Sequence, residues 1–335
     1  MAEASIPVDL FNPGQVFACL GLLEASEVLV GDAEGGFDWS DPGRVVFRLR
    51  AAGEENPVRE VLAFLAEADV TAWLADAEAF DIARWGKPAR KDKPAEAFSI
   101  SGWEAKWNAR IRQVPGPVFP FPFPDGTDVL PALLEARGRR LVVDHWGDAT
   151  RRDPFKLWAG AGGMPGVAIL VRALELVRPK LRDDLEAIAD DPFGLAERLP
   201  SGFRLDWRRD YVALDIGFSP NDHSAITMLG FPLVEVLAVI GLQNARPQRL
   251  SHLEYRYAVA AGLPPPALGQ RRQARQALVY RYAVAAGLLP PALLRAALGA
   301  ADLPLAMRRF CMRLGWPGQE GQARCILEAF EERAP

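Results

Sequence analysis

The sequence predicts an α+β fold, with mixed sheets and packed helices, a helical C-terminal part, and a long irregular Pro-rich connection. Three observations carry this expectation. Runs of apolar residues at helical spacing are interleaved with period-2 runs in the first part of the chain, in a β-α-β-β-α order. Asp, Gly and Pro stand between those runs as turn signals. The chain also holds 28 Pro and 29 Gly, enough to leave long stretches outside regular structure.

The elements follow in order. Ser5 to Leu10 alternates and predicts a short strand. Asn12-Pro13-Gly14-Gln15 then opens an apolar helix over about 13–30. Asn12 is a good N-cap and Pro13 suits the first helical position, while Gln15 at the third completes a capping box. Phe11 and Val16 stand where a hydrophobic staple pairs them. The apolar positions run nearly all round this helix, so it belongs in the core. Gly14 is not needed by the helix; it leaves room for another backbone or a phosphate to approach the N-terminus. Phe37 to Ala51 reads as a hairpin around Asp41-Pro42-Gly43. Asn56-Pro57 starts a second helix, with Val58, Val61, Leu62 and Leu65 at helical spacing.

From Arg84 to about Asp128 the periodicity is lost. VPGPVFPFPFPDG (114–126) carries five prolines, which block both helix and central strand and predict an extended connection. Regular structure resumes with LLEARGRRLVVDHWGD, in which RRLVVDH reads as a strand. A long helix is expected after Gly163-Met164-Pro165-Gly166. FRLDWRRDYVALDIGFS (203–219) reads as two strands around Arg208-Arg209-Asp210, and FPLVEVLAVIGL as a helix over 231–242. YRYAVAAGLPPPAL (255–268) recurs at 280–293, with 13 of 14 positions identical at a spacing of 25. Each copy predicts a short apolar helix stopped by Gly262 or Gly287, with prolines to start the next. Two copies are too few for a solenoid, so the block reads as a duplicated helical hairpin. The tail MRRFCMRLGWPGQEGQARCILEAF predicts strands joined by a Gly-Pro-rich turn. Four regions result: acidic 1–83, basic and Pro/Trp-rich 84–128, α+β 129–250, and 251–335 with helical hairpins and terminal strands.

Composition narrows the function. Half the residues are hydrophobic and 24% are charged, which is globular composition. No apolar run has membrane-helix length and MAEASIPVDL lacks a signal-peptide pattern, so a cytoplasmic protein without membrane contact is expected. Three cysteines without a CxxC make neither a disulfide framework nor a zinc ligand set. The net charge of −4 divides unevenly, −12 over residues 1–83 and +8 over the rest. Such a chain suits protein docking at one end and a polyanion at the other, although a solvated acidic surface explains the same numbers.

Catalytic signatures are scarce. HExxH, GxGxxG before a helix, GxxxxGK[ST] and GxSxG are all absent, and no cofactor is expected. Asp144, His145 and Asp148 in VVDHWGD, and Asn221, Asp222 and His223 in SPNDHSA, are acid–His clusters that a metal-dependent nuclease can use. The same residues also serve as turn and capping groups. WAGAGGMPG (158–166) reads as a phosphate cradle or as a tight connection before a helix. The strongest chemical signal is basic and aromatic. Residues 84–112 hold eight Lys or Arg against three acids, interleaved with Trp85, Trp103 and Trp107. ARGRRLVVDHWGDATRRDPFKLW adds six more cations, with Trp146 and Trp158. Cations neutralise phosphates and indoles stack on unpaired bases; equally, Trp can be core with Lys and Arg stems lying over it.

VDLFNPGQVFACLGLLEASEVLVGDAEGGF, DHWGDATRRDPFKLWAGAGG and MRRFCMRLGWPGQEGQARC together resemble a protein of type I-U CRISPR–Cas systems, a subtype also called I-G. That family is similar to a reduced large subunit of a Cascade-like surveillance complex. The resemblance implies a non-catalytic subunit that assembles with guide RNA and other Cascade-like subunits. It further implies engagement of target DNA and recruitment of the helicase–nuclease effector in antiviral defence. The residues assigned to nucleic-acid contact on this reading are Lys106, Arg110, Arg112, Arg139, Arg140, Arg151, Arg152 and Lys156. The acidic first region is the expected protein-docking face. The alternatives are a metal-dependent nuclease around Asp144, His145 and Asp148, and a purely structural adaptor.

Overall fold

A computed structural model describes residues 1–76, 98–115, 130–143, 165–198, 202–208, 229–243, 245–249, 254–259, 278–299, 303–315 and 325–332. The fold is α+β, as the sequence predicts. Strand β1 (Ala2–Pro7) comes first, earlier than the expected Ser5–Leu10, because Pro7 ends its pairing with the third strand. Helix α1 (Pro13–Leu29) follows, then β2 (Glu34–Asp38) and β3 (Val46–Ala51), the expected hairpin. These strands form an antiparallel sheet in the order β1-β3-β2. Phe47, Leu49 and Ala51 of β3 point into the core, whereas Arg48 and Arg50 point outward and pair with Glu3 and Glu34. Helix α1 ends where Gly31, at φ 98°, turns the chain away and donates to the Ser26 carbonyl at 3.0 Å.

Helix α2 (Pro57–Glu67) starts at Asn56, whose side chain accepts from the Val58 and Arg59 amides, and buries Val58, Val61, Leu62 and Leu65. A second sheet comprises β4 (Asp69–Ala75), β5 (Arg110–Val114), β6 (Ala132–Ala136) and β7 (Arg139–Val143), in the order β5-β4-β6-β7. Helix α3 (Ile100–Trp107), capped by Ser99, lies between β4 and β5 in the chain. Part of the segment expected to be irregular therefore has regular structure. A single serine cap and a left-handed Asn108 at φ 51° delimit the short helix there. Strands β6 and β7 form a hairpin through Arg137-Gly138, both at positive φ, the twist that suits a two-residue turn.

Helix α4 (Gly166–Asp183) is the expected long helix, and α5 (Leu185–Asp190) follows it. Strands β8 (Glu197–Arg198) and β9 (Leu229–Gly230) form a two-residue pair. Residues 203–206 are not the expected strand. They run irregularly, with Phe203, Leu205 and Asp206 buried and the Leu205 and Asp206 amides taken by a side chain of the next helix, α6 (Pro232–Gly241); residues 209–219 lie outside the described residues. Helices α1 and α6 cross so closely that a Cβ on Gly21 would fall 1.9 Å from the Leu237 carbonyl oxygen.

The C-terminal part is a five-stranded sheet, β10-β11-β12-β13-β14, formed by Ala245–Arg249, Glu254–Val259, Leu278–Ala285, Met307–Gly315 and Cys325–Glu332. The expected repeat helices are strands β11 and β12, paired in parallel with equivalent residues opposed, Tyr255 to Tyr280 and Arg256 to Arg281. YRYAV alternates with period 2, and in the second copy Tyr280, Tyr282 and Val284 fill the core while Arg281 faces out toward Glu332. The second copy's proline step starts helix α7 (Pro291–Gly299), and the first copy's lies outside the described residues. The tail forms the predicted strands, β13 and β14, which pair antiparallel; the turn between them lies outside the described residues. One contiguous apolar cluster includes residues of α1, α2, α4, α6, α7 and all three larger sheets. The Tyr282 hydroxyl donates to the Leu10 carbonyl at 2.9 Å, tying the last sheet to the entrance of α1. No helix among the described residues is long and apolar enough to cross a membrane.

Candidate functional site

Two places merit attention: the N-terminus of α1, and the sheet that carries the predicted arginines. At the first, Asn12 caps as expected, its Oδ1 accepting from the Gly14 and Gln15 amides at 3.1 and 3.4 Å. The capping box closes differently. The Gln15 carboxamide oxygen accepts from Asp9 N–H at 2.7 Å, because the Asn12 amide already donates to the Asp9 carbonyl. Phe11, expected against Val16, sets its ring edge-on to Phe310 at 5.3 Å. Pro13 holds the first helical position and is buried.

Gly14 is required by a neighbouring backbone. A Cβ there would lie 2.6 Å from the Leu205 carbonyl oxygen and 2.7 Å from the Asp206 nitrogen. The position a phosphate would take at this helix end is thus filled by the chain itself. Asp206 is buried and accepts from the Asn12 carboxamide at 2.8 Å and the Arg208 guanidinium at 2.6 Å. Glu235, in the first turn of α6, accepts from the Leu205 and Asp206 amides at 3.0 and 3.2 Å. Arg208 lies 3.6 Å over the Phe231 ring, which fixes its guanidinium against Asp206. Sequence reasoning missed Asp206 and Glu235, since their partners are about 190 and 30 residues away respectively. A cleft of about 370 Å³ opens beside this cluster, with Asp9, Asp191, Arg44 and Arg208 on its walls.

The arginine sheet brings together three of the predicted contact residues. Side chains alternate along a strand, and the pairing sets Arg110 opposite Thr71 and Arg112 opposite Trp73, while Arg140 lies opposite Glu135. Val70, Ala72 and Leu74 of β4 face the core, and the alternate set carries Arg110, Arg112 and Arg140 outward on the edge strands β5 and β7, with Leu133 buried on the same side opposite Thr71. These side chains are 70%, 47% and 57% exposed. Each has a carboxylate on the same face. Arg110 pairs with Asp69 at 3.2 Å, and Glu135 accepts from Arg112 at 2.8 Å and from Arg140 at 2.9 Å. Hydrogen bonds from Arg140 and then Arg112 hold the Glu135 carboxyl below its usual range. Three guanidiniums against two carboxylates leave a surplus of one positive charge, well short of a bare cationic patch.

Arg139 is not on this face. Next to Arg140 in an alternating strand, it points the other way, 3.7 Å from Glu60 of α2. Lys106 sits on exposed α3 with its ammonium 4.2 Å over the Trp107 ring. Arg151, Arg152 and Lys156 lie outside the described residues, as do Asp144, His145, Asp148 and the SPNDHSA cluster. Sequence reasoning also missed Asp69, Trp73 and Glu135. The alternation in DVTAWLA was a signal for the first two. Among the described residues no group of three His, Cys, Asp or Glu side chains is placed to hold a metal ion. No protein-family model, curated protein or solved structure matches the chain.

Proposed function

We propose that this protein is a non-catalytic subunit of a type I CRISPR RNA-guided surveillance complex. In that role it helps bind guide RNA and target DNA and recruits the helicase–nuclease. The reading rests on the three long sequence stretches that resemble the type I-U family. The structural observation that supports it is the set of exposed arginines, Arg110, Arg112 and Arg140, on one outward sheet face. In such complexes base pairing reads sequence, while protein subunits hold backbone and flanking duplex. Guanidiniums suit that task because they bind phosphate oxygens in a planar, two-pronged geometry.

Co-expression with the proteins encoded beside its gene tests the reading. The chain is expected to co-purify with the backbone subunits and short RNA. Arg112→Glu with Arg140→Glu is expected to weaken binding to every nucleic-acid sequence and to flatten its salt dependence, by about 1 in logarithmic slope per lost phosphate contact. Failure to join any such assembly, with no nucleic-acid affinity at low salt, overturns the proposal.

A further inference from the structure

The outward face of the β5-β4-β6-β7 sheet contains an aromatic side chain among its arginines. Trp73 on β4 lies directly opposite Arg112 on β5, and alternation puts it in one row with Thr71 and Asp69. Its backbone is pinned by a hydrogen bond from the Trp73 amide to the Pro131 carbonyl at 2.8 Å. The ring is half-buried, with its indole Nε1 turned inward and without a hydrogen-bond partner among the described residues. Beside it two guanidiniums are held in place by one carboxylate. Arg112 Nη1 donates to Glu135 Oε2 at 2.8 Å, and Arg140 Nε donates to Oε1 at 2.9 Å. Each guanidinium keeps further N–H groups beyond the one that bonds Glu135.

From this juxtaposition we infer that the face is a single-strand platform: Trp73 stacks an unpaired base, and Arg112 and Arg140 take the flanking phosphates. The inference rests on the nucleic-acid reading above and adds the class of strand. A duplex keeps its bases stacked on one another and offers this face only phosphates. An unpaired base presents a free π-face, to which an indole contributes regardless of sequence. The surplus of one positive charge favours the same choice. So small an electrostatic attraction gains little from the dense charge of a duplex, and stacking must supply the rest.

Fluorescence anisotropy on the full chain, with labelled oligothymidylate, oligouridylate and a duplex of equal length, tests this. Single strands are expected to bind about 10-fold tighter than the duplex or more, the size of one base–aromatic stack. Trp73→Ala should cost a comparable factor for single strands and leave both duplex affinity and the salt slope unchanged. Arg112→Gln should lower the slope by about 1. Trp73→Phe retains a ring and should recover part of the loss, which keeps the test valid if the alanine variant folds poorly. Preference for oligouridylate assigns the site to RNA, and preference for oligothymidylate to a DNA strand. Equal affinity for duplex and single strands, or undiminished binding by both Trp73 variants, overturns the inference while leaving the nucleic-acid reading intact. Absence of binding to all three probes defeats the nucleic-acid reading itself.

Discussion

Gly241→Ala drives a methyl group into the crossing of α1 and α6. A Cβ on Gly241 falls 2.0 Å from the Phe17 carbonyl oxygen and 2.5 Å from the Gly21 nitrogen. Ordinary van der Waals contact begins at 3.4 Å, so the helices must part by more than 1 Å along that line. The obstacles are backbone atoms of a buried helix, and no rotamer change can relieve them. Opening a packed interface by about 1 Å forfeits a quarter to a half of each contact's dispersion attraction. Overpacking of this kind costs about 3 kcal/mol, at the upper end of its usual range, because the clash is with main chain. Alanine returns at most about 1 kcal/mol over glycine here, at the last residue of α6. A net loss of about 2 kcal/mol is expected, read in urea unfolding as a lower midpoint at unchanged slope. The two terms have opposite signs, so the outcome decides between them. If Gly241→Ala is more stable than the parent by about 1 kcal/mol, propensity alone operates and the close crossing is refuted.

Other perturbations test other parts of the molecule. Asn12→Ala removes the cap of α1 and one partner of buried Asp206, and should cost about 2–4 kcal/mol in urea unfolding. Asn12→Asp keeps a capping oxygen but sets a carboxylate against Asp206, and should be no better than the alanine variant; a near-native midpoint would contradict the assigned bond. Tyr282→Phe strands the Leu10 carbonyl and should cost about 1–2 kcal/mol by the same measurement. Glu24 pairs with Arg295 at 3.0 Å, yet burial pushes its carboxyl above the usual range, with Arg295 opposing and Glu27 adding to the rise. The folded state therefore binds this proton more tightly than the unfolded chain. The stabilisation is full below the ordinary carboxylate pKa of about 4.3 and is lost as pH climbs through the raised folded value. Glu24→Gln should remove that part of the pH dependence, and parallel stability–pH profiles for the two proteins would rule the burial effect out.

Local chemistry was legible in the sequence wherever it is self-contained. Asn12-Pro13 and Asn56-Pro57 mark helix starts because a capping side chain and a fixed proline φ act within three residues. The β2–β3 hairpin, α4, α6 and the β13–β14 pair follow from turn residues and apolar period in the same way. The arginine side of the candidate face was legible as composition, but its meeting with Asp69, Glu135 and Trp73 was not. Their neighbours are strands up to 66 positions away in the chain, as between Asp69 and Glu135, and register alone decides which side chains meet. The repeat shows the limit most plainly. YRYAVAAGL is compatible with helix or strand by its short apolar run, and its state is set by whether a partner strand satisfies its backbone. Strands β11, β12 and β13 supply that pairing, and a single copy cannot encode it. What the residues determine alone is where elements begin, end and turn an apolar face. The close crossing at Gly21 and Gly241, the Leu205–Asp206 backbone that fills the α1 terminus and the pairing of the arginines belong to tertiary structure. Each requires two distant backbones to come within contact of one another.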